Sequence, residues 1–259
     1  MPETETILKE SSQGVMTITL NRPKANAFNL DMIAELQSAF KEAARDDKVR
    51  CVLLTGSGNN FSAGQDVKDF LQAEGLSFRQ HLQKTYNPLI VQMRKLEKPI
   101  LAAINGAAAG AALGIALACD LRIASAEARF VVGFLGIGLA PDSAVSLLLP
   151  GLIGLGRAAE FAFSNEPINA SQALSWGLVN RVVPAEELKT SSMEWARKLA
   201  QGPTHAMGLA KRDFNRAVLG NLEQVLDYEA HIQEVAGQGD EHKEGVNAFL
   251  EKRQAVYVK

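Results

Sequence analysis

The chain of 259 residues is 47% apolar and 22% charged, and its 27 basic and 29 acidic side chains leave a formal charge of -2. That composition excludes a disordered chain, and the length permits one large domain with a substantial core. The basic residues are interspersed with acidic ones and form no stripe, which argues against nucleic acid as a partner.

The opening residues Met1 to Lys9 are acidic and polar, unlike the basic-then-apolar plan of a secretory leader. Residues 15–21 alternate and predict a strand, paired with residues 7–11 across a turn at Gln13-Gly14. A helix is expected over 29–44, capped by Asn29 and with Ile33, Leu36, Phe40 and Ala43 on one face. Residues 49–55 read as a strand without alternation, hence buried on both faces. A long helical region over 66–95 precedes a strand at 99–103, a helix at 110–119 and a strand at 121–124. Strands alternating with helices imply right-handed crossovers and a mostly parallel, α/β core. From residue 144 the pattern is mainly helical, with helices at 170–176, 185–200, 203–218, 221–237 and 241–256 and a short β segment at 178–183.

Residues 100–119 reach the minimum length of a membrane span, with Asn105 as their only strongly polar member. Their Ala and Gly carry little transfer energy, and Asn105-Gly106 is a turn signal, so a buried strand, turn and helix are expected. Cys51 and Cys119 sit in apolar runs without metal-ligand spacing. Both read as small core residues of a protein from a reducing compartment, and a cytoplasmic location is expected.

No nucleophile elbow, phosphate loop or zinc-binding helix motif is present. The four histidines, His81, His205, His231 and His242, fall at scattered polar helix positions, and no metal is expected. Gly106, Gly110 and Gly114 recur every four residues, which suits close helix packing. Two junctions are more suggestive: residues 61–66 and 105–111 both put small residues where a strand ends and a helix begins. Free backbone N–H groups there can point into a cleft with a helix dipole behind them. Converging on one oxygen, they would form an oxyanion hole, whose donors are worth about 2.7–4 kcal/mol each. Taken singly, each junction is equally a site of close packing.

Six motifs in order across nearly the whole chain resemble the crotonase (enoyl-CoA hydratase/isomerase) superfamily. They are Asn21-Arg22-Pro23 with Asn26-Ala27, Phe61-Ser62-Ala63-Gly64-Gln65-Asp66, Asn105-Gly106-Ala107-Ala108-Ala109-Gly110, Cys119-Asp120, Trp176-Gly177-Leu178-Val179 and Ala248-Phe249-Leu250-Glu251-Lys252-Arg253. The resemblance implies a spiral of β-β-α turns over residues 1–200 and a C-terminal helical trimerisation region over 201–259. It also implies trimers, often paired into hexamers, and a coenzyme A thioester as substrate with no separate cofactor. By position, the carbonyl oxygen of the thioester would be held by the amides of Gln65 and Ala111. The adenosine end would lie near Lys24, Ala25, Ala63, Asp66 and Val67, and Phe249 and Lys252 would reach a neighbouring subunit's ligand. For Lys252 a solvated helix charge is the alternative.

Hydratases of this superfamily use two glutamates where this chain has Gly114 and Phe134, so water addition lacks its acid and base. Asp142 is the remaining carboxylate, flanked by Ile137, Leu139, Ala144, Val145 and Leu147. Burial there would raise its pKa from about 3.9 and strengthen it as a base. The alternative is a helix N-cap for residues 144–149. A single acid facing an oxyanion hole suits proton shuttling through an enolate. Ala63-Gly64-Gln65-Asp66, Tyr86-Asn87-Pro88-Leu89, Pro141-Asp142 and Glu244-Gly245-Val246 are similar to the family branch that isomerises ring-epoxidised phenylacetyl-CoA and also moves double bonds in unsaturated acyl-CoAs. Ser143-Ala144 replaces the Gly-Gly of that branch, and the dehalogenase branch would need a histidine at Asn87 and a tryptophan at Phe134. The expected activity is an acyl-CoA isomerase with Asp142 as acid and base. Enoyl-CoA hydratase is one alternative, and a non-catalytic acyl-CoA-binding protein is another. Phe70, Leu71, Tyr86, Leu89, Phe134 and Leu135 are candidates for the acyl pocket.

Overall fold

A computed structural model describes residues 5–22, 24–72 and 76–258. Met1 to Thr4 of the acidic start, Pro23 of the first motif and residues 73–75 of the expected 66–95 helix lie outside the described residues. The chain begins with β1 (Ile7–Ser12) and β2 (Val15–Leu20), an antiparallel hairpin. Its two-residue turn has positive φ at both Gln13 and Gly14, the geometry that matches strand twist. Asn29 then caps α1 (Leu30–Arg45) by accepting from the Met32 amide at 3.0 Å. The next turns comprise β3 (Cys51–Gly56), β4 (Asn60–Ser62), α2 (Val67–Gln72), α3 (Phe78–Lys84), α4 (Tyr86–Lys95), β5 (Ile100–Ile104), β6 (Ala107–Ala109) and α5 (Ala111–Ala118). They continue with β7 (Leu121–Ser125), β8 (Arg129–Val131), α6 (Val145–Ile153), α7 (Leu155–Ser164), β9 (Ile168–Asn169), α8 (Ala170–Trp176) and β10 (Arg181–Val183). Helices α9 (Leu188–Gln201), α10 (Thr204–Val218), α11 (Leu222–Gly237) and α12 (Asp240–Glu251) come last.

The strands form a six-stranded sheet, ordered β1-β2-β3-β5-β7-β10, and a four-stranded sheet, ordered β4-β6-β8-β9. The successive pairs β3–β4, β5–β6 and β7–β8 each give one strand to either sheet before the chain turns into helix. This is the expected spiral of β-β-α turns. The second sheet is unforeseen in the sequence because its strands are two or three residues long, too short for alternation to register.

Strand β3 shows why the larger sheet lacks alternation. Cys51 and Leu53 pack with Leu101, Ala103 and Ile123 beneath α9, whereas Val52 and Leu54 join the main core. Residues 100–119 are the buried β5, β6 and α5, and among the described residues no helix is long and apolar enough to cross a membrane. Cys51 and Cys119 are buried free thiols, each pushed up to about 12 by burial.

Two helix boundaries differ from expectation. The 66–95 region breaks into three helices, because Ser77 and Gln80 build a capping box at the start of α3 and Thr85 leaves helical geometry before α4. The last helix stops at Glu251, where Lys252 turns left-handed and its N–H returns to Ala248 and Phe249. Helix α11 packs on α3, α4 and α6, and α12 packs on the 3-10 turn Leu135–Ile137, so the C-terminal helices lie over the spiral.

Candidate active site

Strands β4 and β6 run parallel as neighbours, with Ser62 opposite Ala108, so they end at the same edge of their sheet. Strand β4 leads into Ala63-Gly64-Gln65, and β6 leads into Gly110 and the first turn of α5. Gly64 has φ +86°, and a Cβ there would sit 2.5 Å from the Ala109 carbonyl oxygen and 3.4 Å from the Ala111 nitrogen. Only glycine lets the two junctions touch. Phe28 bridges this loop by donating to the Gly64 oxygen at 2.7 Å and accepting from the Asp66 amide at 2.9 Å. In a parallel bridge that pattern turns the intervening Gln65 N–H away from Phe28. Ala111 heads α5, where no earlier carbonyl is available to its N–H. Neither amide has a hydrogen-bond partner among the described residues.

Gln65 and Ala111 both border one cavity of about 390 Å³, and Asp142 borders the same cavity. Asp142 is buried and is the only carboxylate on the cavity wall among the described residues. The N-cap role is not realised. Helix α6 starts after Ser143 and Ala144, both left-handed at φ 55° and 64°, and has no side-chain cap of its own. Glu229 on α11 supplies that function from outside, accepting from the amides of Ala144 at 2.8 Å and Ser146 at 3.0 Å and from the Ser146 hydroxyl. The Asp142 carboxylate instead accepts from the Ser143 hydroxyl at 2.7 Å and from the Gln233 amide at 2.6 Å. Burial pushes Asp142 up to about 6, against those two hydrogen bonds, which favour the charged form. Burial likewise lifts Glu229 to about 7.

At the two positions where the resemblance implies glutamates, Gly114 and Phe134, the structure shows no room for one and an apolar side chain at the other. A Cβ on Gly114 would lie 2.5 Å from the Ser143 oxygen and 2.7 Å from its Cβ, so the backbone beside Asp142 fills the place of a longer side chain. Phe134 is buried on the cavity wall.

The rest of the wall is aromatic. Phe70 lies 4.6 Å from Phe78 and 5.0 Å from His81, centroid to centroid, and Phe78 lies 5.2 Å from His242. His81 and His242 are therefore corrected from scattered polar positions to buried members of the wall. Burial pushes His81 down to about 4, so it is neutral near pH 7. The Gln65 side chain ties this wall to the loop at Ala63-Gly64-Gln65. Its Oε1 accepts from the Tyr86 hydroxyl at 2.7 Å and lies 3.2 Å from His81 Nε2, while its Nε2 donates to the carbonyls of Phe28 and Asp66. Because an amide oxygen only accepts, His81 carries its proton on Nε2.

Of the expected acyl-pocket residues, Phe70, Leu71, Tyr86 and Phe134 line the cavity, while Leu89 is core and Leu135 packs against the core. Ala63, Val67 and Phe249 also line it. Lys24, Ala25, Asp66 and Lys252 do not line the cavity. Ala25 accepts from the Ala63 amide at 2.9 Å, and Asp66 pairs with Arg22 at 2.7 Å while capping α2, so these residues frame the loop beside it. Lys252 is exposed at the end of α12.

Sequence reasoning misses Glu229, Gln233, His81 and His242, yet a signal is present. Leu222, Leu226, Glu229, Ala230 and Gln233 form one buried stripe of α11, and polar members of an apolar stripe mark a purpose other than packing. His242 stands on the same face of α12 as Val246 and Phe249, one and two turns away.

Residues 10–259 match the family model described as enoyl-CoA hydratase/isomerase. The chain is 42% identical to a 1,2-epoxyphenylacetyl-CoA isomerase of Escherichia coli (strain K12), over 98% of both chains. It is 34% identical to a short-chain-enoyl-CoA hydratase of Clostridium acetobutylicum, over 97% of both. The crystal structure of an enoyl-CoA hydratase from Mycobacterium avium subsp. paratuberculosis K-10 is similar with a TM-score of 0.89 at 32% identity, covering 98% of this chain and 99% of that one.

Proposed function

Because the chain belongs to the enoyl-CoA hydratase/isomerase family, whose substrates are coenzyme A thioesters, we propose that it is an acyl-CoA isomerase that moves protons and adds no water. The observation that carries this reading is a cavity bordered by Gln65 and Ala111, whose amides have no hydrogen-bond partner among the described residues, and by Asp142, the only carboxylate on its wall among those residues. In the proposed reaction the thioester oxygen accepts from both amides. Asp142 removes a proton from the carbon between the carbonyl and a 3,4 double bond. The electron pair passes to the thioester oxygen as an enolate, which the two N–H donors stabilise. Asp142 then returns the proton two carbons away, and the double bond ends conjugated with the thioester. A base with a pKa near 6 is ionised at pH 7 and still gives its proton back readily.

Hydratase names among the relatives favour water addition. The paired carboxylates that the resemblance implies for that chemistry are not both present, since Asp142 is the only carboxylate on the wall among the described residues. The aromatic box of Phe70, Phe78, His81 and His242 fits a ring-bearing acyl group, as does the likeness to an epoxyphenylacetyl-CoA isomerase, so rearrangement of a ring epoxide is included in the proposal. Lys24, Ala25, Ala63, Asp66 and Val67 are proposed to hold the adenosine end, with Phe249 and Lys252 reaching a neighbouring subunit's ligand. Assembly as a trimer or a hexamer is supported by the exposed Leu155, Phe163, Phe214 and Val218 on α7 and α10. Two free thiols favour a cytoplasmic site of action. The test is incubation with a 3-enoyl-CoA while following the absorbance of the conjugated 2-enoyl product. Growth of that absorbance is expected, and none above background would favour a non-catalytic acyl-CoA-binding protein.

A further inference from the structure

We propose that Gln233, on α11, is a positioning residue that holds the Asp142 carboxylate in the orientation from which it reaches substrate. The inference rests on Asp142 being the base. Gln233 Nε2 donates to Asp142 Oδ2 at 2.6 Å, across 91 residues of sequence, while the Ser143 hydroxyl takes Oδ1. Each carboxylate oxygen is thereby held by one donor and keeps a lone pair for the proton it must accept. Unlike Ser143, which moves with its neighbour, Gln233 comes from a separate helix and fixes the carboxylate relative to the cavity.

Two features separate this role from ordinary core satisfaction. Gln233 is almost fully buried and lines the cavity, yet its Oε1 has no hydrogen-bond partner among the described residues. A buried amide retained for packing would be paired at both ends or replaced by leucine, since an unpaired buried end is destabilising. Glu229 stands one helical turn earlier on the same face and grips the backbone of Ala144 and Ser146. Together the two side chains clamp the left-handed segment at Ser143 and Ala144, which no α6 cap secures.

The same contact opposes the effect of burial on the protonation of the base. Titratable groups near Asp142 are Glu229 from α11, Tyr86 from α4, His81 from α3 and His242 from α12, and α5 presents none. His81 and Tyr86 stay neutral at pH 7 because burial opposes their charged forms. The Gln233 donor is therefore a principal stabiliser of the carboxylate against burial.

The experiment compares pH–rate profiles for trans-3-hexenoyl-CoA in wild type, Gln233→Met, Gln233→Glu and Asp142→Asn. Gln233→Met keeps length and loses the donor. It is expected to cut kcat at pH 7 about tenfold and to move the low-pH limb upward by about one pH unit, with KM within about threefold. Gln233→Glu keeps shape and places a second carboxylate against the first, so the pair retains a proton and the limb moves further up, by about two units. Should Gln233→Met fail to fold, the isosteric Gln233→Glu carries the test alone. Wild-type limbs and kcat in the folded Gln233 variants, with Asp142→Asn inactive, would overturn the positioning role and leave the base standing. An active Asp142→Asn would instead remove the base assignment itself.

Discussion

Replacing Asp142 by asparagine is expected to make the protein more stable and less active at once. Burial lifts the carboxyl from 3.8 to about 6. Between those values the folded protein binds more protons than the unfolded chain, so stability falls as pH rises through the window and is lowest above it. Two pH units at 1.36 kcal/mol each amount to about 3 kcal/mol of destabilisation at pH 8. Asp142→Asn carries no charge to bury, still accepts from the Ser143 hydroxyl and can exchange hydrogen bonds with the Gln233 amide. The variant should therefore gain up to about 3 kcal/mol at pH 8, with the gain vanishing below about pH 4. Its turnover of a 3-enoyl-CoA should drop by about 10²- to 10⁴-fold, the range associated with a lost general base. Urea denaturation at the two pH values, run beside the turnover assay, measures both. A variant that is less stable at pH 8 and still turns over would refute the reasoning.

Single contacts carry the other expectations. Wild-type kcat/KM should fall about tenfold per pH unit below pH 6, as Asp142 takes up its proton, and a flat profile down to pH 5 would show another base at work. Gly64→Ala forces a Cβ to 2.5 Å from the Ala109 oxygen at φ +86°, and should lower kcat about 10²-fold by displacing the Gln65 N–H; unchanged kcat in a folded variant would count against the amide pair. Gln65→Leu keeps that N–H but strands the Tyr86 hydroxyl and the His81 Nε2–H, so the loss should appear as at least about 1–3 kcal/mol of stability in thermal or urea unfolding, with activity largely kept. Gly114→Glu should destabilise by about 1–3 kcal/mol through overpacking on Ser143 and yield no 3-hydroxyacyl product, and acquired hydration would show that room exists after all.

Much of this architecture is legible where a local rule operates. Gln13-Gly14 marks the hairpin turn, Asn29 the start of α1, and the unalternating 51–54 run a strand covered on both faces. The second sheet is invisible because Asn60–Ser62 and Ala107–Ala109 are strands only by virtue of each other and of the glycines that let their backbones approach. At the site, the loop-to-helix junctions announce themselves through small residues, and Asp142 through an acid in an apolar run. Its cap alternative fails for a reason that no local reading contains: the capping carboxylate, Glu229, arrives from α11, 83 to 85 residues away. Gln233 and the two cavity histidines are hidden by the same long-range closure, in which α3, α11 and α12 fold over the spiral.

Whether protons move within the acyl group while water stays out is decided by the mass of the product. A 3-enoyl-CoA is converted in ¹⁸O-labelled water and the thioesters are separated and weighed by mass spectrometry. The expected product is the 2-enoyl thioester of unchanged mass, with no ¹⁸O and no 3-hydroxyacyl thioester formed at a comparable rate. Recovery of the 3-enoyl thioester unchanged, with the matching 2-enoyl-CoA supplied separately and converted to an ¹⁸O-labelled 3-hydroxyacyl-CoA, would contradict proton transfer as the reaction of this site.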